Sequence, residues 1–433
     1  MMEAQERETI PLRSLILDLP PSCIEFCPAH PDYFVVGTYN LQKGNSTEAE
    51  GNFGSDSDGS HKTTKKPQSR SGSLVVFRLA DCTDDLSHVQ TVPYESALLD
   101  LHFHPSQDKH EVFAVVSSTG TLSFFRLSPR KMSSAPLVHV ATHRPIGDGE
   151  SVLLLSCAWH PIIPNLLAIT TSDYHVHVLR IDDSWGAHQT SSTPIITHTL
   201  EAWTVAFSPI LTYSPTDNGE SIPETSRGYT IFSGGDDSKL LSTSCFYNGD
   251  RTDKPDDDYD DAFVPSPVIT ARGHNAGVTA ILPLSLTLSG GSQVVITGSY
   301  DDCVRIYSIH AQVGGVALRP PKLLAEKNFG GGVWRLKLVR LEQTNKEDDV
   351  SQKYWSAMIL ASCMHAGSRI LKITGDYSEF CRVDVLGRFE EHKSMNYGTD
   401  FQPGTELDGR RLRCVSTSFY DKLLYLWEVY LGS

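Results

Sequence analysis

The segment ITGSYDDCVRIY, residues 296–307, contains two short runs of strand-forming residues separated by a tight polar turn. Val, Ile and Tyr favour β-strands, whereas Gly, Ser and consecutive Asp residues favour the turn between them. The same arrangement recurs in three further segments: FSGGDDSKLLS (232–242), LASCMHAGSRIL (360–371) and STSFYDKLLYLW (416–427). The four segments predict a repeated β-hairpin, so the chain is expected to be an array of similar units.

A further short strand is predicted ahead of each hairpin, and seven such first strands occur along the chain. They are CIEFCP (23–28), LLDLHFHP (98–105), LLLSCAWHP (153–161), AWTVAFSP (202–209), GVTAILPL (277–284), VWRLKLV (333–339) and NYGTDFQP (396–403). Five of them end in Pro, which lacks a backbone N–H and suits the point where a chain leaves a sheet. Seven four-stranded units, none able to bury its own faces, predict an all-β, seven-bladed β-propeller.

The whole chain, residues 1–433, is expected to form this single propeller. Residues 9–19 precede the first unit, so they are predicted to be the outer strand of the last blade, which would close the ring. Two polar segments are predicted to be insertions: residues 43–72, which are expected to be disordered, and an acidic loop at 248–265. The tail LYLWEV (424–429) and the segment GHNAGV (273–278) are typical of WD repeats, with Trp-Glu replacing Trp-Asp.

Charge and cysteine content argue against several classes of function. The chain has 37 basic and 52 acidic residues, a net charge of −15, which disfavours nucleic acid or an anionic membrane as a partner. No apolar run approaches the ~18 residues of a membrane helix, and the start lacks the apolar region of a secretory signal. The nine cysteines are scattered without a C-x-x-C pair, so a reduced cytoplasmic protein without a metal site is expected.

One hairpin turn differs from the others. Overlaying the repeats places Asp236, Asp301 and Asp421 at one turn position, where the remaining hairpin has His365, with Cys363 two residues earlier. The same blade has three consecutive glycines, 330–332, where other blades have a histidine. Two interpretations remain open: this blade has simply degenerated, or it carries a functional site.

Aromatic residues occupy an equivalent position in three of the first strands, namely Trp203, Trp334 and Tyr397. The residues assigned to that position in other blades are Leu99, Leu155 and Val278. These aromatic side chains either pack between blades or surround the mouth of the central channel. In the second case they would suit a cation, because aromatic faces attract quaternary ammonium groups.

These segments resemble one family, the WD-repeat diphthine methyl esterases of the diphthamide pathway. The resemblance is carried, over residues 36–428, by VGTYNL, HTLEAWTVAF, SGGDDSKL, GSYDDCVRIY, GGGVWRLK, ASCMHAGSRIL, YGTDF and STSFYDKLLYLWE. It implies hydrolysis of the methyl ester of methylated diphthine, a modified histidine of translation elongation factor 2, to give diphthine. A cytoplasmic monomer without a cofactor is expected. The alternative is a non-catalytic adaptor that presents elongation factor 2, or another protein, to modifying enzymes.

This resemblance implies a substrate with a trimethylammonium group beside a methyl ester. The expected cradle for the ammonium group is Trp203, Trp334 and Tyr397, with Glu201 or Asp400 supplying negative charge. A histidine is the usual general base near neutral pH, so His365 is expected to activate water, oriented by Asp301 or Asp421. Cys363 is the alternative nucleophile, and Arg335 or the N–H groups of the glycine loop are expected to stabilise the oxyanion.

Overall fold

The computed structural model describes residues 6–41, 70–80, 85–129, 135–147, 149, 151–213, 227–247, 263–312, 319–343, 354–405 and 411–431. Its strands form seven antiparallel sheets, one for each blade of a β-propeller, so the predicted fold is confirmed. Most of the predicted insertion at 43–72 lies outside the described residues, but Arg70–Leu79 is a strand and includes its last three. The acidic loop also lies outside them, apart from the short strand Phe263–Pro265.

Each blade begins with its innermost strand, followed by a second strand that pairs with it. In chain order the first strands are Pro21–Cys27, Leu98–Phe103, Leu154–Trp159, Ala202–Phe207, Val278–Thr287, Arg335–Gln343 and Asn396–Phe401. The second strands are His30–Thr38, Val112–Ser117, Leu166–Thr171, Arg227–Gly235, Gln293–Ser299, Tyr354–Ser362 and Arg411–Ser418. We refer to the blades as 1 to 7 in this order.

The third strands are regular, whereas the fourth vary in length. The third strands are Arg70–Leu79, Leu122–Leu127, His175–Ile181, Leu240–Tyr247, Cys303–Ile309, Ser368–Asp376 and Leu423–Tyr430. The outer positions are filled by Leu86–Tyr94, Leu137–His143, Ala187–Gln189 with Ile196–Thr197, Phe263–Pro265 with Ile269–Ala271, Lys322–Asn328, Cys381–Phe389 and Thr9–Ile16. Additional short elements are the strands Asn40–Leu41 and Thr212–Tyr213 and a 3₁₀ turn at Gln107–Lys109.

The outer strand of blade 7 comes from the start of the chain. Thr9–Ile16 pairs antiparallel with Leu423–Tyr430, with Ile10 opposite Glu428 and Ile16 opposite Leu423. Pairing the two ends of the chain in one sheet leaves no open edge between blades 7 and 1.

The hydrophobic core lies between neighbouring blades. Between blades 6 and 7, for example, the rings of Phe389 and Trp427 stack with their centroids 4.7 Å apart and their planes 6° apart. Trp427 also donates from Nε1 to Ser416 Oγ at 3.0 Å, so its one polar group is satisfied although the side chain is buried. Each sheet is therefore stabilised by burying apolar surface against its neighbours, which a single blade could not do alone.

Candidate functional site

A β-bulge at the start of the first strand places an additional side chain near the propeller axis. In blade 4 the pairing shifts between Ala202 and Thr204, which leaves Trp203 at the bulge. Six blades show this shift, and the bulged residues are Ser22, Leu99, Leu155, Trp203, Thr279 and Tyr397. Thr279 rather than Val278 is thus the blade 5 residue at this position, because Val278 is paired with Ser299. A bulge redirects side chains in this way without interrupting the sheet.

Aromatic side chains meet on one face of the propeller. Trp334 of blade 6 lies 5.9 Å from Trp203 of blade 4 and 5.0 Å from Tyr397 of blade 7, measured between ring centroids. Tyr300 of blade 5 lies 5.7 Å from Trp334, and Phe419 of blade 7 lies 5.4 Å from Tyr397. The three aromatic residues named from the sequence are thus joined by two that it did not indicate. We call these five residues the aromatic collar.

Tyr300 and Phe419 share a structural position, the first residue of the turn after the second strand. At this position the backbone N–H donates to the backbone carbonyl oxygen of the residue that lies two positions before the bulged residue. Examples are the bonds from Tyr300 N to Gly277 O at 2.9 Å and from Asp236 N to Glu201 O at 2.8 Å. The residues with this bond are Tyr39, Ser118, Ser172, Asp236, Tyr300 and Phe419. Comparing turn residues for this position alone would have revealed the additional aromatic residues. The position holds three aromatic residues and one carboxylate.

The turn aspartate of blade 4 is therefore Asp237, not Asp236 as the sequence overlay indicated. Asp237 accepts from His198 Nδ1 at 2.9 Å and from the backbone of Thr199 at 3.0 Å. This arrangement anchors the loop that leads into the first strand. Placing Asp236 with Asp301 and Asp421 was a register error of one residue within a turn.

Asp301 and Asp421 perform the same anchoring task in blades 5 and 7. Asp301 accepts from Asn275 N at 2.7 Å and pairs with Arg305 at 2.8 Å, and Asp421 accepts from Ser394 Oγ at 2.5 Å. Burial alone would raise the pKa of each carboxyl, but these donors lower it. Among the described residues neither carboxylate bonds to His365, so the geometry favours structural roles for both.

Blade 6 holds its turn by close backbone packing instead of a histidine–aspartate pair. A Cβ on Gly331 would collide with the carbonyl oxygen of Cys363, and one on Gly332 would lie 2.8 Å from Met364 Sδ. Gly330 has φ +75°, a conformation that favours glycine. The three glycines thus allow the loop to lie directly on the turn that carries His365.

The two side chains singled out in this turn have different environments. His365 is exposed, and no hydrogen bond or ion pair engages its side chain within the part of the chain that the structure describes. Cys363 is fully buried in an apolar cluster, and burial raises the pKa of its thiol to about 12. A thiol in that environment is a poor nucleophile because the thiolate is the reactive form.

Beneath the collar, charged side chains bridge the central channel. Arg335 pairs with Asp100 of blade 2 at 2.8 Å, and Lys337 pairs with Asp400 at 2.8 Å and with Glu25 at 3.3 Å. Asp400 is fully buried and also accepts from the backbone of Phe26, so it does not join the aromatic residues at the collar. Asp100, Glu25 and Lys337 were not indicated by the sequence, since each needs a partner from a distant blade.

This network fixes the protonation of its members. Burial opposes ionisation of Asp100, but Arg335 and His102 lower its pKa well below the usual value. Burial would lower the pKa of His102, yet the carboxylates of Asp100 and Glu25 raise it to about 10. Arg335 is therefore already neutralised by a carboxylate, which weakens its candidacy as an oxyanion-stabilising group.

A cavity of about 370 Å³ lies in the same channel on the side away from the collar, where its lining includes Pro105, Pro161, Pro209, Ser156 and Arg335.

Among the described residues, no group of three or more His, Cys, Asp or Glu is arranged to hold a metal. The eight cysteines within the described ranges are buried with free thiols. No helix in the described part of the chain is long and apolar enough to cross a membrane.

Comparison with curated proteins gives relatives over nearly the whole chain. Identity is 28% with diphthine methyltransferase of Schizosaccharomyces pombe (98% of this chain, 99% of that protein), and 24% with the diphthine methyltransferase homolog of Dictyostelium discoideum (95% and 97%). The mouse diphthine methyltransferase is 26% identical over 90% of this chain and 69% of its own length. The chain is thus similar over most of its length to proteins named diphthine methyltransferase. The resemblance inferred from the sequence is thereby confirmed, although no family model matches the chain.

A solved structure supports the fold. The propeller matches Sqt1 from Chaetomium thermophilum with a TM-score of 0.52 and 14% identity, over 95% of this chain and 82% of the other. At this identity the match concerns architecture only.

The comparisons contradict one expectation about the reaction. The sequence resemblance implied hydrolysis of a methyl ester, whereas the relatives are named methyltransferases. The expectation of ester hydrolysis is therefore wrong, because the names of the relatives indicate methyl transfer. Ester hydrolysis was inferred from the family resemblance alone, and an aromatic site for a methylated ammonium group specifies what is bound, not which bond changes.

Proposed function

We propose that this chain is an enzyme of diphthamide synthesis that acts in the methyl-transfer step by which the incompletely methylated side chain becomes diphthine. The protein substrate is then elongation factor 2, and the aromatic collar holds the amino group of its modified histidine as it becomes a trimethylammonium group. The proposal is supported by the names of the relatives and by one structural observation. Trp203 and Trp334 meet across the channel mouth although blade 5 separates their blades.

The collar suits the chemistry of a methylated ammonium group. A trimethylammonium group has no N–H, so it cannot use a hydrogen-bonding site and instead gains from aromatic faces, by ~0.5–2 kcal/mol per contact. The collar side chains are only partly buried, so part of their aromatic surface is exposed. Burial raises the pKa of Tyr300 and of Tyr397, which keeps both hydroxyl groups neutral.

Methyl transfer from S-adenosylmethionine to the incompletely methylated amine forms an N–C bond while the S–C bond of the donor breaks, and the donor leaves as the neutral thioether S-adenosylhomocysteine. The amine needs a free lone pair, so a proton must leave it before or during the transfer. His365 is the residue we propose to accept that proton, because its side chain is exposed and unengaged in the described part of the chain. Cys363, Asp301 and Asp421 are not included in this step, since their environments are those of structural groups.

The test is to incubate the purified chain with elongation factor 2 carrying the incompletely methylated side chain and S-adenosylmethionine with an isotope-labelled methyl group. The expected result is labelled methyl on the modified histidine, measured by mass spectrometry of the peptide. The collar variants Trp203→Ala and Trp334→Ala should lower this labelling. Their matched control is Phe380→Ala, which removes an exposed aromatic side chain from a turn at the other face of blade 6. Loss of a methyl group, or binding without any change in mass, would contradict the proposal. A cytoplasmic location and a monomeric state remain predictions.

A further inference from the structure

We infer that Asp236 supplies the negative charge of the aromatic collar, so that the site selects quaternary ammonium groups by a carboxylate at its rim. The inference rests on the proposed function and identifies a residue that determines specificity. The sequence offered Glu201 or Asp400 as the source of this charge. Asp236 takes that role in this inference, because the structure places Asp400 in the channel, where it pairs with Lys337.

The position of Asp236 is defined by its equivalence to collar residues. It is the first turn residue of blade 4, as Tyr300 and Phe419 are in blades 5 and 7, and all three backbone N–H groups make the same hydrogen bond. In blade 4 the anchoring role belongs to Asp237, so Asp236 has no structural task in the turn. Its side chain is exposed, and no hydrogen bond or ion pair engages it among the described residues.

Gly277 shows how closely this carboxylate approaches the collar. A Cβ at Gly277 would lie 2.7 Å from Asp236 Oδ1 and 3.0 Å from Tyr300 Cδ2, so the two side chains converge on the space that this glycine leaves free. Tyr300 in turn contacts Trp203 at 6.5 Å and Trp334 at 5.7 Å between centroids. After burial and the neighbouring Tyr397, Asp236 is a further cause of the raised pKa of Tyr300.

A carboxylate in this place adds what the aromatic faces lack. Aromatic quadrupoles attract a cation only at short range, whereas a carboxylate acts through its full charge. A quaternary ammonium group cannot donate a hydrogen bond, so an acid that is not committed to donors is well matched to it. An unmethylated ammonium group would lose hydration among the rings, which disfavours it. The site should therefore accept methylated ammonium side chains and small ligands of the choline type.

The experiment compares choline with 3,3-dimethylbutan-1-ol, a neutral molecule of nearly the same shape, as ligands of the full chain. Binding is followed by tryptophan fluorescence, since Trp203 and Trp334 belong to the collar. Asp236→Asn should weaken choline binding by roughly three- to tenfold and reduce its salt dependence, while binding of the neutral molecule is unchanged. Asp236→Glu should keep the preference for choline. Asp302→Asn is the matched control, because it removes an equal charge from the turn of the next blade.

The outcomes separate this inference from the proposed function. If the wild-type chain and Asp236→Asn prefer choline over the neutral molecule to the same degree, Asp236 does not supply the charge. The proposal that the aromatic collar binds the ammonium group is then unaffected. If Asp302→Asn weakens choline binding as much as Asp236→Asn does, the effect is general electrostatics and the inference also fails. If the wild-type chain binds neither molecule, the collar itself is not a cation site. A melting temperature of Asp236→Asn within a few degrees of wild type confirms that the comparison concerns binding.

Discussion

Arg335 Nη2 lies 2.8 Å from Asp100 Oδ1, which joins blade 6 to blade 2 across the channel. Asp100 is buried and also accepts from Ser156 Oγ at 2.8 Å, so three blades converge on one carboxylate. Opposite blades of a propeller share no sheet and little apolar contact. This ion pair is therefore a direct link across the ring, and its loss should affect the whole fold.

The first prediction is that Asp100→Asn destabilises the protein by about 3–5 kcal/mol, because it leaves the Arg335 cation without its partner in a largely buried place. Urea unfolding measures the change. The control is Arg126→Ala, whose pair with Glu111 is on the surface at 3.1 Å and should contribute less than about 1 kcal/mol. Equal decreases in the free energy of unfolding for the two variants would show that the channel ion pair contributes no more to stability than a surface pair.

A second prediction concerns alkaline pH. The carboxylates of Asp100 and Glu25 raise the pKa of His102 from 6.5 to about 10 in the folded state. A group with a raised folded pKa contributes its full stability below its unfolded pKa and loses it as the pH rises through the folded value. The contribution of protonated His102 to the free energy of unfolding should thus be fully present below about pH 6.5 and should decrease as the pH rises towards about 10.

Chemical denaturation at several pH values between these limits measures the effect. His102→Gln removes the titrating group, so the variant should be less stable than wild type at the lower pH and show a flatter dependence above it. His188→Gln is the control, since that histidine is exposed near Asp182 on the surface. Parallel curves for wild type and His102→Gln would contradict this account.

The fold was predictable from the sequence because each blade repeats a local pattern. Pro ends five of the seven first strands, and short β-branched runs bounded by polar residues recur along the chain, so counting the first strands gives the number of blades. The channel network was not predictable in the same way. Arg335 and Asp100 are far apart in the chain, and charged residues near a strand carry no signal of which distant blade they face.

The candidate site was predictable in part, for a similar reason. Trp203, Trp334 and Tyr397 share a strand position that the sequence overlay could align, and the structure brings them together. Tyr300 and Asp236 depend instead on register within a turn, where a shift of one residue changes the direction of the side chain. Two adjacent aspartates at 236 and 237 offered no means of deciding which one anchors the loop.

The third prediction concerns the collar. Trp334→Ala and Trp203→Ala should each weaken binding of the trimethylated side chain by about 1–2 kcal/mol, beyond any loss of stability. Calorimetry with a trimethylated peptide from the modified site of elongation factor 2 measures the difference, and Phe380→Ala is the control for loss of an exposed aromatic ring. Equal affinity of the wild-type protein for methylated and unmethylated peptides would remove the need for an aromatic site.

The fourth prediction is that residues 43–69 can be replaced by a short Gly-Ser turn without loss of fold or activity. Asn40 and Leu41 pair with Ser71 and Arg70, so the ends to be joined are neighbouring strand residues. The insertion predicted from the sequence, 43–72, extends too far into blade 1. Gly72 and Ser73 pair with the outer strand of that blade, and Ser73 N donates to Thr38 Oγ1 at 2.7 Å. Removing 43–72 should therefore lower the melting temperature, whereas removing 43–69 should not. Similar melting temperatures for the two deletions would contradict this boundary.

The last prediction returns to His365. Its side chain is exposed and engages no partner among the described residues, so His365→Ala should keep the melting temperature within a few degrees. As the proposed proton acceptor it should nevertheless lower the rate of methyl transfer by ~10²–10⁴-fold. His365→Asp introduces the residue that blades 5 and 7 use for anchoring, so a degenerated turn would tolerate it with activity intact.

Cys363→Ala completes the comparison, because Cys363 lies in the same turn but is buried, with a thiol pKa raised to about 12. This variant should cost stability through the lost packing while its rate of methyl transfer stays close to that of wild type. The opposite pattern, with full activity for both His365 variants and none for a folded Cys363→Ala, would move the chemistry from the exposed imidazole to the buried sulfur. Since the two side chains are two residues apart in one turn, a general disturbance of blade 6 would affect both alike, and only a specific role separates them.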